Sequence, residues 1–122
     1  MRRSYPHKYV TLDIQYSLNE KEKTARIKSC RSNATEIIIP RLIKYELKEY
    51  IVTSISGQAF QCSDARSVTF EPNSELRTIE QFAFSCSNLT SISIPASVVE
   101  LKDGWCNGTD KLSQIEVEAG NC

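Results

Sequence analysis

The feature that most constrains this chain is a repeat with a fixed spacing. When the stretch from Val52 to Phe70 is set over the stretch from Leu76 to Ile94, Ile55 falls on Ile79, Ala59 on Ala83 and Phe60 on Phe84. Cys62 falls on Cys86, Val68 on Ile92 and Phe70 on Ile94, each pair 24 residues apart. A third copy follows from Val98 to Val117 in a looser form. Val98 and Leu101 match Leu76 and Ile79 at a spacing of 22, and Ile115 and Val117 match Ile92 and Ile94 at 23, so one residue is inserted between. Cys106 takes the Phe84 slot in this register, and Trp105 is placed to take over its volume. Upstream, Ile37 and Ile39 read as the strand of an earlier turn, and Cys30 precedes them much as Cys62 precedes Val68.

A unit of this length holds one short strand and a return, and cannot bury an apolar side alone. Stacked copies share a continuous core and pair each strand with the next at about 4.8 Å. The expected fold is therefore mainly β: a solenoid of short stacked strands with irregular returns, the strands lying near 36–39, 66–70, 90–94 and 113–117. Proline lacks the N–H a ladder needs, so Pro40 and Pro95, each directly after its strand, mark one corner of the coil. Pro72 marks the same corner one residue later, two positions past Phe70.

Two segments depart from the repeat. In the N-terminal stretch, Val10, Leu12, Ile14 and Tyr16 alternate with polar residues, a charged turn follows, and TARIK can pair back. Residues 8–28 thus read as a hairpin covering the end of the stack, and the chain divides into a cap, 1–28, and a repeat stack, 29–122. Between Pro40 and Val52 lie extra residues. Strands over 43–47 and 50–54 turning at Lys48-Glu49 would put Ile43, Tyr45, Tyr50 and Val52 on one face; a short helix over 41–50 is the rival.

The string LRTIEQFAFSCSNLTSISIPASVVEL resembles the repeat of BspA-like leucine-rich-repeat proteins: Leu89, Ile92, Ile94, Pro95, Ser97, Val98 and Leu101, with Ala83, Phe84 and Cys86 from the turn before. The likeness spans about residues 30–118. Departures are Ala65 in a leucine slot, Cys106 in a phenylalanine slot and Gly108 in a cysteine slot. The resemblance implies a leucine-rich-repeat fold and adhesion to host, matrix or microbial proteins. It also implies a cell-surface location, whereas the sequence as given, with no apolar run behind its basic start and no membrane-length segment, reads as cytoplasmic.

Charge excludes several classes. Lys and Arg number 15, as do Asp and Glu, so no basic excess marks a nucleic-acid or anionic-membrane surface. The five cysteines include no CxxC pair and His7 is the only histidine, which is a poor set for zinc. No cofactor is expected. Cys62 and Cys86 admit three readings: a disulfide, a metal pair, or a packed ladder of small apolar side chains, which the parallel stacking favours. Ser97, Asp103, His7 and Cys106 supply the residue types of nucleophilic catalysis, but no GxSxG elbow or convergent group joins them, so the chain reads as non-catalytic. Three Asn-x-Thr sequons, at Asn33, Asn88 and Asn107, matter only if the chain is exported.

What remains is a binding role. If the apolar strand residues point inward, the residues between them face out: Glu36 and Ile38, Ser67 and Thr69, Ser91 and Ser93, Gln114 and Glu116. This strip suits a protein partner, whether a host or matrix protein or another subunit of an assembly; an ordinary solvated sheet face is the plain alternative. Trp105, in a glycine-rich stretch, is either an exposed anchor for that partner or a filler of the missing phenylalanine slot. The C-terminal edge, where EVEAGNC follows Val117 without a polar cap, is a second expected contact and a route to self-association.

Overall fold

The computed structural model describes residues 14–31, 34–61, 64–85 and 88–106, and the backbone of 114–117. All regular elements among them are strands: β1 Ile14–Asn19, β2 Thr24–Cys30, β3 Glu36–Ile39, β4 Leu42–Tyr45, β5 Lys48–Ile55, β6 Ser67–Phe70, β7 Thr78–Ile79, β8 Ser91–Ile94, β9 Glu100–Leu101 and β10 Gln114–Val117. The repeat strands begin one residue later than expected in β6, β8 and β10; before β6 and β8 the preceding residue belongs to the corner. There the carbonyl of Thr35 accepts from the N–H groups of both Arg66 and Ser67, and that of Arg66 from both Thr90 and Ser91.

The expected strands form one parallel sheet in the order β10-β8-β6-β3. Equivalent residues sit side by side: Ile37 against Val68, Val68 against Ile92, Ile92 against Ile115. Ile37, Ile39, Val68, Ile92 and Ile94 are all buried. Alternation along β3, β6 and β8 thus does what period 2 requires, with one face turned into the core.

The returns are more regular than the spacing implied. β2, β5, β7 and β9 form a second parallel run, so each turn of the coil contributes a strand to both sheets. Its inner row is Ile27, Ile55, Ile79 and Leu101, paired in register. The 24-residue match of Ile55 with Ile79 had already announced this row, but two-residue strands carry no alternation to read.

Three corners linking the sheets are built alike. In each, a carbonyl accepts from the N–H three residues on, Ser56 from Ala59, Glu80 from Ala83 and Lys102 from Trp105, all at 3.2 Å. The third residue of each turn is left-handed: Gln58 at φ 62°, Phe82 at 64° and Gly104 at 71°. This is the type II arrangement, which favours glycine at that position; only the last corner has it. Gly104 is needed there for a second reason, since a Cβ would lie 2.7 Å from Cε1 of Phe82.

The corners also stack by backbone hydrogen bonds. The N–H of Phe60 donates to Ala83 O, that of Phe84 to Trp105 O and that of Cys30 to Ala59 O. Cys30 therefore occupies the phenylalanine slot of the first turn, not the slot of Cys62 as its distance from Ile37 had implied. The rungs of the core run Cys30, Phe60, Phe84, and Trp105 closes the row edge-on to Phe84, with ring centroids 6.1 Å apart. Cys62 and Cys86 lie outside the described residues.

Both hairpins are present. β1 and β2 pair antiparallel on the outer edge of the second sheet, from Ile14–Cys30 to Asn19–Thr24. Residues 1–13, which include Val10 and Leu12, lie outside the described residues. β4 and β5 also pair antiparallel, which rules out the helix over 41–50. The turn falls at Glu46-Leu47, two residues before the expected Lys48-Glu49. Both residues are left-handed, at φ 51° and 69°, as a two-residue hairpin turn demands. Ile43, Tyr50 and Val52 share the buried face as expected, while Tyr45 overhangs the core near the tip and is exposed.

Candidate functional site

The outward face of the β3-β6-β8-β10 sheet follows directly from this register. Glu36, Ser67, Ser91 and Gln114 form one row across four strands. Ile38 pairs with Thr69, and Ser93 with Glu116, in a second row. Glu36 and Thr69 are exposed, and Ile38, Ser67, Ser91 and Ser93 are partly exposed between buried neighbours. Gln114 and Glu116 are located by their backbone register alone. The eight positions carry two acids, no base and four hydroxyls.

Trp105 does not join this face. Its relative exposure is 9%, and it packs against Phe84. The exposed-anchor reading is corrected accordingly: an indole beside an emptied phenylalanine slot buries more apolar area inside than outside.

The second row is broken between β6 and β8. Their ladder ends at Val68–Ile92, whereas β3 and β6 stay paired to Ile39–Phe70, and β8 and β10 to Ile94–Val117. The break coincides with the irregular proline corner. Glu71 is the extra residue between strand and proline in this turn, so the chain leaves β6 on a wider path than it leaves β8. A cleft of about 470 Å³ opens there, between Thr69, Phe70 and Glu71 on one side and Ser93, Pro95 and Ser97 on the other. Phe70, the counterpart of buried Ile39 and Ile94, is only partly buried for the same reason.

The cleft wall is braced from behind. Oε1 of Glu71 accepts from the N–H of Arg41 at 2.8 Å; the Arg41 guanidinium donates to Asn73 O and pairs with Glu75 at 2.8 Å. Asn73, at φ 63°, takes the left-handed bend at little cost. Glu71 makes no ion pair among the described residues. A second, polar hollow lies beside the tip of the β1-β2 hairpin, between Ser17, Arg26 and Thr53.

Of the residue types suited to catalysis, Ser97 lies in the cleft wall and Asp103 and Cys106 in the last described corner, while His7 lies outside the described residues. Among the described residues no group of three His, Cys, Asp or Glu side chains could hold a metal ion. No helix among them is long and apolar enough to cross a membrane.

Residues 32–121 match the family described as BspA type Leucine rich repeat region (6 copies). The chain belongs to the BspA-type leucine-rich-repeat family. Two solved structures show the same fold. A leucine-rich-repeat protein from Bacteroides capillosus is 20% identical, with a TM-score of 0.60 over 97% of this chain and 99% of its own. The pneumococcal vaccine antigen PcpA is 18% identical with a TM-score of 0.57, covering 90% of this chain and 37% of that one. A leucine-rich-repeat protein from Bacteroides ovatus is 16% identical with a TM-score of 0.49, covering 84% of this chain. The chain spans 39% of the Bacteroides ovatus protein's length. Among curated proteins, none matches this sequence.

Proposed function

We propose that this BspA-type chain is a non-catalytic protein-binding or adhesive module whose contact surface is the outward face of the β3-β6-β8-β10 sheet. The observation that carries the reading is the continuous row from Glu36 through Ser67 and Ser91 to Gln114. Small hydroxyl side chains lose little entropy when covered, so a flat or extended protein surface can be laid over them at low cost. Family membership supports an interaction role, and PcpA is a relative of the same fold known as a vaccine antigen. A structural subunit of a larger assembly, held through the same face, is the alternative. The outer edge of β10, the last strand of that sheet among the described residues, is the second contact it would use.

The test compares variants against partners captured from native material and identified by mass spectrometry. Ser91→Arg with Ser93→Glu should abolish capture, and Val117→Lys should do so if the C-terminal edge is the contact. Retention of the partner by both variants, each still folded, would overturn the proposal. Sugar on exposed Asn88 in the native protein would point to the adhesive role at a cell surface, and its absence to the assembly role.

A further inference from the structure

We propose that the cleft between β6 and β8 is a socket for a single basic side chain, a lysine or arginine of a protein partner lying along the sheet face. The proposal rests on the reading of that face as the contact surface, and adds to it a specific ligand chemistry.

The socket arises at one of the places where the coil departs from its repeat. The β6-β8 ladder ends early beside the inserted Glu71, which is the only charged residue lining the gap among the described residues. Its carboxylate is bound to a neutral backbone N–H of Arg41, while the Arg41 guanidinium is committed to Glu75 and Asn73. Glu71 thus lines the cleft beside Phe70 and Pro95 and makes no ion pair among the described residues. A long side chain with an aliphatic stem and a cationic head meets both demands, stem over ring and head on carboxylate. Thr69 and Ser93 supply hydroxyls at the rim. The Ser97 hydroxyl, buried in the wall, has no hydrogen-bond partner among the described residues. Charge on the rest of the face agrees: Glu36 is exposed at its β3 end, and the described outward positions Ile38, Ser67, Thr69, Ser91 and Ser93 carry no base.

The experiment titrates the ¹⁵N-labelled full chain with three amino-acid amides: N-acetyl-arginine amide, N-acetyl-lysine amide and the uncharged N-acetyl-norleucine amide. The expected result is a saturable shift of the Glu71, Ser93 and Ser97 amides with one or both cationic probes and none with norleucine. Tighter arginine binding assigns a guanidinium ligand, and tighter lysine binding an ammonium. Glu71→Gln keeps the acceptor for the Arg41 N–H and removes only the charge. It should weaken the cationic probes by about tenfold or more with an unchanged melting curve. Equal shifts with norleucine, undiminished binding to Glu71→Gln, or no saturable shift at these amides would each overturn the socket. Because the probes involve no partner, this outcome is independent of the capture experiment. Probe binding together with retained capture by the strand-face variant would overturn the broader reading and with it the assignment of the occupant to a partner on that face, whereas failure of the probes alone would overturn only the socket.

Discussion

The rings of Phe60 and Phe84 stack across adjacent turns, 4.6 Å apart and inclined by 21°. Both are completely buried, and Trp105 covers Phe84 from the far side. Phe84→Ala therefore empties a rung held from two directions, and should cost about 3–5 kcal/mol, the range for buried phenylalanine deletions. Phe60→Ala should be similar or slightly milder, since its other neighbour, Cys30, is small and the hairpin side can close inward. Thermal melts decide it: a melting temperature for Phe84→Ala within a degree or two of the parent is incompatible with this stacking.

The left-handed corners give predictions of opposite sign. At Gln58, exposed and at φ 62°, replacement by Gly removes a backbone penalty of roughly 1–2 kcal/mol at the expense of unfolded-state freedom worth about half as much. Gln58→Gly should be neutral to slightly stabilising. Gly104→Ala should be destabilising by at least about 1 kcal/mol, because it adds both the wrong handedness and a clash with the Phe82 ring. Urea melts of the two variants should move to opposite sides of the parent or, for Gln58→Gly, coincide with it.

Cys30 offers a probe of the first turn. Its exposure is 0% and its N–H is tied to Ala59 O. A thiol reagent should reach it only at the rate of unfolding, so its labelling half-time should shorten in step with any destabilising change in the phenylalanine rungs. Rapid labelling of Cys30 in the native protein would show that the first turn opens independently.

How much of this was legible beforehand differs from place to place. The rows Val68–Ile92 and Phe60–Phe84 could be read directly, because equal spacing puts equal residues on equal positions of a coil. The second sheet was hidden, since two-residue β7 and β9 are held by their neighbours' backbones and not by any alternation of their own. The slot of Cys30 is ambiguous in the sequence for a related reason: it lies seven residues before Ile37, whereas Phe60 lies eight and Cys62 six before Val68, so the first connection is one residue shorter than the later ones and only the hydrogen bonds decide the slot. In the candidate site, the outward residues followed from period 2, and the later position of Pro72 was visible as an irregularity. That it parts two strands and leaves a charged cleft required the ladder itself. Trp105 showed the limit of composition: a glycine-rich setting suggested exposure, and a vacant core slot decided otherwise.

The turn at Glu46-Leu47 bears on how the chain finds this structure. Pairing any two turns of the coil requires closing a loop of more than twenty residues, as in Val68–Ile92. β4 and β5 need only close two, between Tyr45 and Lys48. Loop-closure entropy makes this hairpin the cheapest place to begin, with later coils added one after another onto β5. Yet its turn carries Glu and a fully exposed Leu where Asn and Gly fit best. Replacing Glu46-Leu47 by Asn-Gly should therefore quicken refolding while leaving the unfolding rate nearly unchanged. Stopped-flow measurements showing the gain only in slower unfolding would place the nucleus elsewhere in the stack.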